Sequence, residues 1–142
     1  MKRTIVLVSV LAAAGVLAAG SSANPRSGAL HVTKECSQYD ATAGSFCTIT
    51  GSNIPAIKAA MRVVYLSAAG AGDTLDSDIV LSTGHGNAAY GHVVLDATTS
   101  HVSLSGGTGR FATFEAEAEV SVDAKGIWHW DGTYSFTAPD DD

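Results

Sequence analysis

The stretch that decides the fold is residues 87–136, NAAYGHVVLDATTSHVSLSGGTGRFATFEAEAEVSVDAKGIWHWDGTYSF. It reads as four alternating strands joined by short polar or glycine-rich turns, with Gly106-Gly107-Thr108-Gly109-Arg110-Phe111 at its centre. Such a pattern specifies an antiparallel barrel or sandwich. The last of these strands places Trp128, Trp130, Tyr134 and Phe136 on one face and His129, Asp131, Thr133 and Ser135 on the other, a period-two split that requires one buried side. Chemistry is far less legible than fold. No nucleophile, metal or cofactor motif rises above background in this stretch.

Outward from that centre, candidate strands fall at residues 30–35, 46–51, 61–68, 75–83, 87–96, 100–105, 111–123 and 126–136. The loops between them are rich in Gly, Ser, Asn and Asp, notably 69–73 and 84–87. Only residues 52–60 hint at helix, with Pro55 near a first turn. Eight short antiparallel strands without substantial helix can close on themselves, which removes sheet edges and leaves an interior wide enough for side chains or one small ligand. The expected fold is therefore all-β, a single eight-stranded antiparallel β-barrel, with an open β-sandwich as the alternative. The barrel is favoured because Phe114, Ala116, Ala118, Val120 and Val122 alternate bulky and small residues on one face. The opposite face carries Glu115, Glu117 and Glu119, read as a solvated surface rather than a cation or acid/base site.

The N-terminus has Lys2 and Arg3, an apolar run from Ile5 to Ala19, and then the small residues Gly20-Ser21-Ser22-Ala23. That order reads as a secretory signal peptide over residues 1–23. A membrane anchor is the alternative, although the run falls short of the roughly twenty residues that span a bilayer. Residues 24–28 form a flexible lead-in, 29–137 the β-barrel domain and 138–142 an acidic tail. Location is expected to be secreted, periplasmic or otherwise extracytoplasmic, with no membrane association after signal cleavage. Without Lys2 and Arg3 the chain holds six basic against fourteen acidic residues, which argues against nucleic acid as a partner. Cys36 and Cys47 are expected to form one disulfide, as suits an oxidising compartment. The spacing is too wide for the paired thiolates of a zinc site.

The run Gly106-Gly107-Thr108-Gly109-Arg110-Phe111 resembles the Gly-Gly-Thr-Gly-x-Phe turn of dirigent proteins and allene oxide cyclases. The likeness extends more loosely through residues 90–96 and through Trp130-Asp131-Gly132-Thr133-Tyr134. It implies an eight-stranded barrel of the allene oxide cyclase-like type, with Gly106, Gly107 and Gly109 as a structural turn and a central pocket for small apolar molecules. This chain continues Ala112-Thr113-Phe114-Glu115 where plant dirigent sequences carry an arginine and an Ala-Arg-Gly-Tyr run. No catalytic residue carries over.

Among candidate chemical groups, His85, His92, His101 and His129 lack the spacing of a metal pair. Of these, His92 in Tyr90-Gly91-His92 is the one a strand could turn toward a pocket. Asp73, Asp76 and Asp78 lack the dense ligand spacing of a calcium loop. No metal and no cofactor is expected. Three function classes remain. The chain binds a small apolar molecule in a central pocket, with Tyr65, Trp128, Trp130 and Tyr134 as lining residues. Alternatively it is a cyclase or isomerase that shapes a small reactive apolar substrate, or a structural barrel whose aromatics only fill the core. A cavity holding buried His92 or Asp96 favours the enzyme, an apolar cavity the carrier, and a filled interior the structural reading. Oligomeric state is not readable from the chain.

Overall fold

The structure, a computed structural model, describes residues 26–137. The expected signal peptide (1–23) and the acidic tail (138–142) lie outside the described residues. Eight antiparallel strands form in chain order: β1 Ser27–Glu35, β2 Phe46–Ser52, β3 Arg62–Tyr65, β4 Leu75–Ser82, β5 Ala88–Leu95, β6 Ser100–Thr108, β7 Phe114–Val122 and β8 Trp128–Phe136. Each strand pairs with its chain neighbour, and β8 returns to pair with β1, so the sheet closes as a barrel and the sandwich alternative falls. No α-helix forms among the described residues.

Period-two alternation builds the interior. On β7, Phe114, Ala116, Ala118 and Val120 are buried while Glu115, Glu117 and Glu119 face solvent. Trp130, buried on β8, has Val120 as its register partner on β7. Val32, Ile49, Val63, Ile79, Leu81, Val93, Val102 and Leu104 complete the filled middle. Val122 departs from the expected inward row, since at the strand's end it passes the rim and is half exposed.

One barrel end is plugged. Between β2 and β3, residues 53–61 run as successive tight turns, not the hinted helix. The Ser52 hydroxyl accepts from the Ile54 amide at 2.9 Å, and Ala60 takes a positive φ of 79°, so no α-helical ladder propagates. The segment instead buries Ile54, Ile57 and Met61. Phe111, fully buried, meets Phe114 edge-on at 5.4 Å between ring centres.

The glycine run is part strand and part turn. Gly106 and Gly107 lie within β6 at a bulge, where Ala89 pairs with Gly107 but Gly91 already pairs with Leu104. The one extra residue on β6 is accommodated there, as a bulge requires. Only Gly109 belongs to the turn proper, a short 3₁₀ segment Gly109–Phe111 that delays β7 to Phe114. Gly109 has φ 58°, and its neighbour Arg110 donates its amide to Asn87 Oδ1 at 3.0 Å. β1 starts at Ser27, three residues before the expected strand start at 30 and inside the expected flexible lead-in, because Ser27 and Gly28 pair with Ser135 and Tyr134.

Cys36 and Cys47 are joined by a disulfide that ties the end of β1 to the start of β2. Closing this short loop restricts the unfolded chain, worth roughly 3 kcal/mol in the chain-entropy model. Reduction is therefore expected to lower the thermal midpoint by several degrees, read by paired melts with and without reductant. Two free thiols in the untreated protein would contradict the bond.

Candidate functional site

The opposite end of the barrel is open. Here β1, β3, β5 and β7 end and β2, β4, β6 and β8 begin, and the loops 36–45, 66–74, 96–99 and 123–127 form the rim. A partly enclosed cavity of about 350 Å³ occupies this mouth. Its wall is largely apolar, with Tyr39 and Tyr65, Ala69, Leu75, Leu95 and Trp128, and the disulfide passes along one side. Two rim loops are clipped together over it. The Ala69 amide donates to the Ala41 carbonyl at 2.9 Å, the Gly44 amide to the Tyr65 carbonyl at 2.7 Å, and the Tyr39 and Tyr65 rings meet edge-on at 5.0 Å.

The unexpected residue in this cavity is Lys34. Leu30, Val32 and Lys34 occupy successive inward positions of β1, so the strand's own period carries the lysine inside, where it is only 3 % exposed. A bulge sits beside it, since Thr33 pairs with Gly51 and Lys34 with Ile49. Its Nζ donates to the Tyr65 hydroxyl at 3.0 Å and lies 3.8 Å from Cys36 Sγ. The rings of Tyr65, Trp128 and Trp130 surround it, with Nζ 5.7, 5.3 and 5.6 Å from their centres. Trp128 is the direct register partner of Lys34 across the β1–β8 seam.

No carboxylate pairs with Lys34 among the described residues; their ion pairs all run through histidines. Ring faces attract a cation, but the gain is of order 1–2 kcal/mol and does not replace the hydration of a buried ammonium. Desolvation accordingly lowers the Lys34 amine to about 7, so near neutral pH a large fraction is uncharged. Burial pushes the neighbouring Tyr65 hydroxyl in the opposite direction, well above its ordinary value. Its proton stays on the oxygen throughout the neutral range. The mouth thus holds a partly neutral amine and a proton-bearing phenol in hydrogen-bond contact, facing an apolar space.

Of the lining residues expected from sequence, Tyr65 and Trp128 are in the cavity wall. Trp130 is buried one layer deeper, beneath Lys34. Tyr134 does not belong to this site. Four positions further along β8 from Trp130, it joins Phe114 and Phe136 near the plugged end, with ring centres 6.5 and 6.0 Å away. A barrel interior is long enough to separate the two ends of one strand face. Strand pattern alone does not distinguish them.

The histidines are on the outer surface. His92 points outward from β5, not into the interior, and its ring nitrogens meet Asp78 at 2.8 Å and Asp76 at 2.6 Å. Hydrogen bonding to Asp78 first, then Asp76, raises its pKa. His129 meets Asp123 at 2.9 Å, and His31 pairs with Asp131. Asp96 is exposed and accepts from the Thr98 and Thr99 amides. Neither His92 nor Asp96 reaches the cavity. Among the described residues no group of three metal-ligating side chains converges.

Compared with family models, with curated proteins and with solved structures, the chain shows no match.

Proposed function

We propose that the protein is an extracytoplasmic binding module that holds a small apolar molecule with one polar group in the mouth cavity. The observation that carries this reading is the burial of Lys34 at an apolar cavity that has space for a ligand. A lysine in that position costs folding stability where an apolar residue would not. Perturbed titratable groups in clefts mark functional sites more often than chance placement does. The cavity volume falls within the usual range for small-molecule sites. The resemblance of the Gly106–Phe111 run to dirigent proteins and allene oxide cyclases agrees with a barrel that holds small apolar compounds. The disulfide suits an oxidising compartment, as does the leader-like residues 1–23.

A second reading, a cyclase or isomerase acting on a reactive apolar substrate, draws on the Lys34–Tyr65 contact. A proton acceptor and a proton donor 3.0 Å apart are what acid/base work on a bound substrate needs. Binding comes first in either case.

Benzyl alcohol and hexanol, as minimal apolar probes, are expected to shift the emission of Trp128 and raise the thermal midpoint. A ligand at a hundred times its Kd adds about 2.7 kcal/mol to folding stability. Replacing Ala69 with Trp fills the cavity from the rim and should remove the response while leaving the barrel folded. A response that survives Ala69→Trp places the binding elsewhere. No response from any alcohol, terpenoid or phenol in a panel leaves a structural barrel.

A further inference from the structure

We infer that Lys34 is an imine-forming amine, which condenses reversibly with the aldehyde or ketone group of a small apolar molecule seated in the mouth cavity. This rests on the binding reading above and specifies the ligand class. An apolar pocket that ends at a single buried nitrogen recognises a molecule that is apolar along its length and carries one electrophilic carbon at its tip. An alcohol fits the same wall and can donate a hydrogen bond to the nitrogen, but like a hydrocarbon it offers no electrophilic carbon for the nitrogen's lone pair to attack. A carboxylate of the same shape would supply the counter-charge that the cationic form lacks, but both charges would then be buried, at a desolvation cost that a neutral carbonyl compound avoids.

The chemistry balances with the groups present. The unprotonated Lys34 Nζ donates its lone pair to the carbonyl carbon, a C–N bond forms, and the C=O π pair moves to oxygen. One proton passes from nitrogen to that oxygen to give a carbinolamine. The nitrogen lone pair then forms C=N, and the oxygen leaves as water after taking up a second proton. No oxidant, reductant or metal is required. Tyr65 Oη, 3.0 Å from Nζ, is within reach to hand over and recover a proton in both steps. A desolvated lysine in an apolar pocket is the usual means of obtaining a nucleophilic amine near neutral pH. The titratable groups that face Nζ from the elements around it are the Tyr65 hydroxyl on β3 and, across the cavity, the Tyr39 hydroxyl on the 36–45 loop, both raised above their ordinary range. The sulfurs of Cys36 and Cys47 are committed to the disulfide.

The chain contains its own controls. Lys58 and Lys125 are exposed, and an ordinary lysine near pH 7 is almost wholly protonated. Benzaldehyde is added to the intact, oxidised protein near pH 7 with cyanoborohydride, which delivers hydride to the imine carbon and makes the bond permanent. The expected product gains the mass of benzaldehyde less one oxygen. Peptide mapping should place it on Lys34 at least about tenfold ahead of Lys58 and Lys125, the excess that the larger neutral fraction of Lys34 supplies. In concentrated urea the preference should vanish. Excess benzyl alcohol should slow the native reaction by occupying the cavity. Lys34→Met should lose the preferred adduct while the barrel stays folded, as its thermal melt reads.

If benzyl alcohol binds in the cavity and Lys34 is labelled no faster than Lys58 and Lys125, the imine inference is wrong and the binding reading stands. If Lys34 is unlabelled and benzyl alcohol produces no response either, both are wrong. Preferred labelling of Lys34 that excess benzyl alcohol leaves untouched overturns the placement of the carbonyl compound in the cavity.

Discussion

Gly107→Val is expected to abolish folding at ambient temperature, or to reduce stability by more than about 4 kcal/mol, a loss confined to a few severe mechanisms. Glu117→Ala should change it by no more than about 0.5 kcal/mol, as for an ordinary surface site. The difference comes from backbone proximity. At φ 157° in the β6 bulge, a Cβ on residue 107 would collide with the carbonyl group of Ala88 and come within 2.9 Å of Ala89 Cα on the paired strand. The obstacle is backbone held in a closed ladder, so it cannot rotate aside as a side chain does. Glu117 is an exposed residue on the outer face of β7. Paired thermal and urea melts decide the matter. Similar shifts for the two variants would mean that the bulge is not where β5 and β6 make their close approach.

The second large effect is a pH dependence of stability that one residue controls. The amine of Lys34 is lowered to about 7 in the folded barrel and returns to about 10.4 in the unfolded chain. Between these values the unfolded state binds more protons than the folded state. Stability then rises with pH, by at most about 1.4 kcal/mol per unit for one group. The penalty for burying the amine is full below pH ~7, and it fades as pH climbs toward ~10. Above that, the raised Tyr65 hydroxyl acts with the opposite sign, because the unfolded chain loses that proton first. Stability should therefore peak near pH 10 and fall beyond it. Lys34→Met removes the rising limb and, near pH 7, makes the protein more stable by about 2 kcal/mol, within the range seen when buried charges give way to packed apolar groups. Chemical unfolding from pH 6 to 10 measures both. A flat wild-type profile, or a variant less stable near neutral pH, would show that Lys34 is solvated rather than buried.

Most of the barrel was legible before any coordinates. Alternation on β7 and β8 identified the rows Phe114–Val122 and Trp128–Phe136, of which Val122 alone turned out half exposed at the rim, because a closed sheet gives each strand one dry face. The cysteine pair was legible for the same kind of reason, two thiols within one short span. The site was legible only in part. Tyr65 and Trp128 were named as aromatics on strands, but the wall they belong to is assembled from two loops, 36–45 and 66–74, and from strand ends far apart in sequence. Lys34 escaped notice because a lysine near a strand end is ordinarily a solvated residue. The available signal was Leu30 and Val32 two and four positions before it, which place Lys34 on the buried phase of β1. What makes that phase a pocket is the seam between β1 and β8, where Lys34 and Trp128 become partners. A contact across 94 positions has no local pattern to announce it. Tyr134 illustrates the complementary limit, since it shares a strand face with Trp128 yet faces the plugged end.

That the mouth cavity is a functional site rests on Lys34 being held there as an amine that loses its charge near neutral pH. The most direct measurement is a carbon NMR titration of protein labelled at the lysine ε positions, with Lys34 assigned by its absence from the Lys34→Met spectrum. The predicted result is a Lys34 resonance with a midpoint at about 7, far below the roughly 10.4 of an unperturbed lysine. A Lys34 resonance that moves only near pH 10 would contradict it.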